Sequence, residues 1–137
     1  MPLIASKTYD PPAFANFPAS GFTAFAAFDT VNLRAVFTVP ANGRVLVRIS
    51  VSTTGPTPAI VLGVLNGATV AFRKRASQLG NVIETFAVVD NLTPGSSLTW
   101  DAAYCLGGTN TFSIRYGGPN DASGDAYGAF SFEIWTA

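Results

Sequence analysis

From Leu33 to the end of the chain the apolar residues recur at every second position, a period that predicts β-strands with one buried and one wet face. In "LRAVFTV" the residues Leu33, Ala35, Phe37 and Val39 share a face, and Pro40 with "ANG" supplies the turn that follows. In "RVLVRISVS" the inward set is Val45, Val47, Ile49 and Val51, with Arg44, Arg48, Ser50 and Ser52 pointing away. The run "AIVLGVL" is nearly all apolar, as expected of a strand covered on both faces. Asn66-Gly67 then marks a tight hairpin into "TVAFRKR".

Further strands are predicted at "IETFAVV", "SLTWDAAY", "TFSIRY" and "AFSFEIW", so about eight follow residue 33. Leu98, Trp100, Ala102 and Tyr104 form one inward face. Phe130, Phe132 and Ile134 form another, opposite Ser131, Glu133 and Trp135. Just before the first of these, Pro94-Gly95 suits a type II turn, in which Pro fixes the first corner and Gly supplies the positive φ of the second. No stretch carries a helical period, and linkers such as "ASQLGN" and "GGPNDASGDAYG" are too glycine-rich for helices. Parallel neighbours need long crossovers, so the expected fold is all-β, an antiparallel two-sheet β-sandwich of jelly-roll type.

The opening "TYDPPAFANFPASGFTAF" shows neither period, and its prolines favour extended backbone. Residues 1–20 are therefore expected to form an extended N-terminal arm and residues 21–137 a single sandwich domain. Phe22, Phe25 and Phe28 recur at every third position, and they either plug the end of the core or contact a neighbouring subunit.

Composition changes the picture in one respect. The chain has 137 residues, enough for one core, but it is 48% apolar and 12% charged, where soluble domains carry about 25% charge. Part of its surface is expected to be buried in an oligomer or larger assembly. Eight basic residues balance eight acidic ones, so no net field draws the chain to nucleic acid or an anionic membrane. The first residues lack a signal-peptide core, and no segment is long and apolar enough to span a bilayer as a helix.

Candidate chemistry is sparse. The chain has no histidine, which removes Ser-His-Asp and Cys-His arrangements, and Cys105 is the lone cysteine. Asp121 and Asp125 are the carboxylates closest in sequence, but spacing alone does not make the controlled pair of a glycosidase. The same loop, "DASGD", lacks the full ligand set of a calcium site and is expected to be a polar turn. No catalytic residue, cofactor or metal site is assigned. In "FRKR" a strand sends Arg73 and Arg75 to one face and Lys74 to the other. The arginines suit either an acidic neighbouring subunit or a solvated edge that resists aggregation. Trp135, on the polar face of the last strand, is either exposed or an interface anchor.

Three stretches carry a resemblance: "DTVNLRAVFTVPANGRVLVRISV", "LTPGSSLTWDAAY" and "IRYGGPNDASGDAYGAFSFEIW". Together the chain resembles, over most of residues 22–136, small structural proteins of tailed bacteriophages, especially phages of actinobacteria. The resemblance implies a jelly-roll virion component, either a capsid decoration protein or a tail or fibre module, commonly a trimer. It implies no catalytic residues. A non-enzymatic capsid decoration (cement) protein is the expectation, a homotrimer on the capsid exterior that contacts the major capsid protein. In this reading Phe14 and Phe17 anchor the arm, and Phe22, Phe25 and Trp135 lie between subunits. The alternative is a tail or head-fibre module that binds host glycan through residues 120–127, with Tyr116 and Tyr127 stacking on sugar rings and Asp121 and Asp125 accepting hydroxyl hydrogen bonds.

Overall fold

Short connections between alternating segments allow only antiparallel neighbours, and every strand pair among the described residues of the computed structural model is antiparallel. The structure describes residues 2–9, 15–17, 25–52, 60–79, 82–106, 114–116 and 130–137. Twelve strands lie among them: β1 (Leu3–Tyr9), β2 (Ala15–Phe17), β3 (Ala26–Ala27), β4 (Arg34–Thr38), β5 (Val45–Ser52), β6 (Ile60–Asn66), β7 (Thr69–Arg75), β8 (Ser77–Leu79), β9 (Val82–Val89), β10 (Ser97–Leu106), β11 (Ile114–Tyr116) and β12 (Phe130–Thr136).

One sheet runs β1-β12-β5-β9-β8. In the other, β10 has β6 on one side, with β7 beyond it, and both β3 and β4 on the other. Without the strands of two or three residues, eight remain. They pair first with last, second with seventh, third with sixth and fourth with fifth, as β1–β12, β4–β10, β5–β9 and β6–β7. This nesting is a long hairpin rolled into two sheets, the jelly roll.

The strand count agrees with expectation for a different set of strands. Residues 3–9 are not an arm outside the sandwich but its first strand, with Leu3 opposite Trp135 and Tyr9 opposite Phe130. Apart from Pro2, which precedes the strand, the prolines that favour an arm come after Tyr9. Two further features hide the period of two in β1. An irregularity between Leu3 and Ala5 sets both Ile4 and Ala5 against the core, and Lys7, opposite core-facing Phe132, stays exposed at the sheet edge. Of the expected strand "TFSIRY", the described residues Ile114–Tyr116 pair with Ala15–Phe17 in a separate two-stranded sheet.

The predicted inward residues of β4, β5, β10 and β12 are buried, except for Leu98, which is half-buried. Trp100, Phe130, Phe132, Leu62, Ile49 and Ile83 are among the largest side chains that the two sheets enclose completely. Strand β10 is covered on both faces, since Asp101, Ala103 and Cys105 are buried as well. Of the two readings of Phe28 the core plug fits, rather than the subunit contact: the ring is 5% exposed, stacked on Tyr104 at 4.4 Å and edge-on to Phe130 at 4.8 Å. Pairing of β3 with Ala103 and Tyr104, and the Phe28 amide bonded to the Ala102 carbonyl at 2.9 Å, deliver its ring to the core.

The turns follow local chemistry. Ser96 N donates to Thr93 O at 3.2 Å across Pro94-Gly95, and Gly95 has φ 78°, the expected type II corner. At the β6–β7 hairpin Asn66 pairs with Thr69, so the loop is Gly67-Ala68. Positive φ falls on Gly67 alone, as in a type II′ turn rather than an Asn-Gly type I′ turn. Gly63 answers a different need. A Cβ there would lie 2.1 Å from the Phe72 carbonyl oxygen and 2.9 Å from the Phe25 ring, so no larger residue fits without backbone movement.

Asp29 organises the entry to β4. Its Oδ1 accepts the amides of Val31 and Asn32 at 2.8 and 2.9 Å, and its Oδ2 accepts Asn32 Nδ2 at 3.0 Å. Desolvation raises the carboxyl pKa, but the bonds from the Asn32 side chain, the Asn32 amide and the Val31 amide together outweigh it and hold the group below its ordinary value. The folded state therefore binds fewer protons than the unfolded chain between the two pKa values. The stabilisation is complete above the unfolded value and is lost as pH falls through the folded one. Urea midpoints measured from pH 6 down to pH 2 should fall on acidification, with a smaller fall for Asp29→Ala. Identical pH dependence in the two proteins would contradict this role.

Candidate interaction surface

The outer faces of the sheets carry what the core does not use. On the β1-β12-β5-β9 sheet, cross-strand register aligns Leu3 with Trp135, Trp135 with Leu46, and Leu46 with Val88. Four apolar side chains on the solvent side thus form a row across four strands. Leu3 is 46% exposed and Val88 50%, while Trp135 and Leu46 are half-buried. Phe86, 57% exposed, widens the row at the β9 end. Because β-strand neighbours lie about 4.8 Å apart, the four side chains form a continuous strip across the sheet.

A charged network flanks the row. Arg48 Nε and Nη2 donate to Glu84 at 3.3 and 2.9 Å, and Nη1 donates to Glu133 Oε1 at 3.1 Å. Glu133 also accepts Ser131 Oγ at 3.1 Å and the Trp135 indole N–H at 2.9 Å. The hydrogen bonds to Glu84 are the main reason that the Arg48 guanidinium is held above its ordinary pKa. The Glu84 and Glu133 charges add to them, and desolvation opposes them. Exposed ion pairs contribute little stability. Here their effect is positional, since the network fixes the Trp135 ring before any partner arrives, and a fixed ring loses less entropy on binding.

The outer face of the other sheet differs. Arg34 Nε and Nη2 grip the buried carboxylate of Asp101 at 2.7 and 2.9 Å. Register aligns Arg73 with Gly63 and Arg75 with Val61, so both arginines stand on this outer face, exposed, as the strand period predicts. Lys74 lies on the opposite side, its Nζ 5.5 Å from the Phe86 ring centroid. Cys105 is buried under this face. Burial raises its thiol pKa against the lowering effect of Arg73, which keeps it a thiol of low reactivity.

Of the expected interface residues, the structure thus places Trp135, Arg73 and Arg75 on outer faces, and Phe25 half-buried against Gly63. Phe28 is in the core. Phe14, Phe22, Asp121, Asp125 and Tyr127 lie outside the described residues, as do the side chains of Phe17 and Tyr116. Sequence reasoning missed Leu3, Leu46, Phe86 and Val88. The signal was present for three of them, since Leu46, Phe86 and Val88 occupy wet-face positions of their strands.

Among the described residues no group of three or more His, Cys, Asp and Glu side chains gathers to hold a metal ion, and no helix is long and apolar enough to cross a membrane. The fold and this surface define a jelly-roll β-sandwich with an apolar strip on one sheet and a cationic edge on the other. No protein-family model and no curated protein sequence matches the chain.

Proposed function

We propose that the chain is a non-enzymatic structural protein of a bacteriophage virion, a capsid decoration protein that forms trimers on the capsid exterior and stabilises the shell. The observation that carries this reading is the apolar row Leu3, Trp135, Leu46 and Val88, a solvent-facing strip with a prefixed indole at its centre. The resemblance to tailed-phage structural proteins supplies the setting, and the jelly roll agrees with the fold that it implies. At about 25 cal/mol per Å² of apolar area, a contact of a few hundred Å² gives several kcal/mol before ordering costs, and repetition over a lattice multiplies it. Strand β1 contributes Leu3 to this row, and Phe14 and Phe17 keep their proposed role as further anchors on the shell.

Rebinding to particles stripped of the protein tests the reading. Wild type should restore decoration over the capsid in electron micrographs. Trp135→Ala with Val88→Lys should lower occupancy at least ten-fold while circular dichroism and melting stay close to wild type. Full occupancy by the variant would remove the row from the interface, and label confined to the tail would replace the capsid reading with the tail or fibre one.

A further inference from the structure

The cationic edge of the second sheet has no counterpart within the described chain. Each acid whose side chain is described is already engaged: Asp29 with its own turn, Glu84 and Glu133 with Arg48, Asp90 with Arg44, and Asp101 with Arg34. Lys74 is engaged too, since its Nζ donates to the Phe86 carbonyl at 3.2 Å. Arg73 and Arg75 have no ion pair among the described residues, and they stand two positions apart on the outer face of β7. Strand β7 is the last in its sheet, with β6 on one side and no strand on the other among the described residues. On the same face Val70 is 40% exposed.

We propose that the β7 edge is a docking site for an acidic extended segment of another protein, which adds as a strand beside β7 and sets carboxylates opposite Arg73 and Arg75. The geometry defines the partner's chemistry. Alternate residues of a strand lie about 6.8 Å apart on one face, so the matching segment carries Asp or Glu at positions i and i+2, with an apolar residue further along for Val70. Backbone hydrogen bonds give such an edge its affinity, and the side-chain pairs give it selectivity. A second copy of β7 does not fit, because self-pairing brings four guanidinium groups to one face, where like charges repel. The inference does not rest on the capsid reading, since the charge pattern selects the same partner chemistry wherever the protein resides.

A fluorescent ten-residue peptide of alternating Glu and Thr ending in Val is the probe, read by anisotropy at low and high salt. Binding is expected to weaken at least ten-fold for the Glu→Gln peptide, for the Arg73→Glu/Arg75→Glu protein, and for the peptide N-methylated at alternate amides. Both arginines are exposed, so circular dichroism should report an unchanged fold in the variant. An N-methylated peptide or a single-stranded oligonucleotide that binds as tightly as the parent peptide would overturn strand addition and leave a general anion contact. Absence of binding by the parent peptide would overturn the proposal without touching the apolar row, which the particle experiment reads separately.

Discussion

Deletion of residues 1–9 is expected to unfold the protein rather than strip an appendage from it. Strand β1 contributes six cross-strand pairs to β12, and its Ile4, Ala5 and Tyr9 pack against the core. Full burial of a large apolar side chain is worth about 1.5–3 kcal/mol, so the partial burial of these residues accounts for roughly 3 kcal/mol. The loss also uncovers one flank of Phe130, Phe132 and Ile134, which are now completely buried. A total near 5 kcal/mol reaches the whole stability of a marginal domain. The truncated chain should therefore show no cooperative thermal transition and should bind a hydrophobic dye. A melt within a few degrees of the full chain would show that the sandwich closes without β1.

Trp100→Ala should be the most damaging single substitution. Trp100 is fully buried on β10, a strand with neighbours on both sides, and its ring stands edge-on to Phe37 at 4.9 Å. Removal of a buried tryptophan costs about 3–5 kcal/mol because the surrounding sheets cannot collapse into the space. For a domain of this size the melting temperature should fall by roughly 10–15 °C. Trp100→Phe provides the control. The indole N–H has no hydrogen-bond partner among the described residues, so phenylalanine removes an unsatisfied donor along with some volume. It should lose about 1–2 kcal/mol. Equal losses for Ala and Phe would mean that the ring's packing is not what holds these strands.

The sequence made the sandwich legible where a strand has one wet face. The inward sets of β4, β5 and β12, the Pro94-Gly95 corner and the common face of Arg73 and Arg75 all follow from a period of two and the steric demands of Pro and Gly. It was silent where that period is broken or where the partner is remote. The Leu3–Ala5 irregularity and the exposed Lys7 disguise β1, whose neighbour lies at the far end of the chain. Phe28 belongs to no strand, so its burial depends on β3 pairing with a segment that begins more than sixty residues later. The apolar row has the same character. Leu46 and Val88 are each unremarkable alone, and only cross-strand register makes them neighbours of Trp135 and Leu3.

The nested pairing of first strand with last also dictates an order of events. Of the four nested pairs, β6–β7 closes the shortest loop and each pair outside it must wait for a longer one, so assembly that zips outward from Gly67 meets the lowest entropic barriers. A topology so dominated by distant contacts folds on the slow millisecond-to-second scale. During synthesis β1 emerges before the other strands of the sandwich, and its partner β12 is the last of them to follow. Until then β1 waits without β12 beside it, and that interval, rather than the finished sandwich, is when the chain is most open to aggregation.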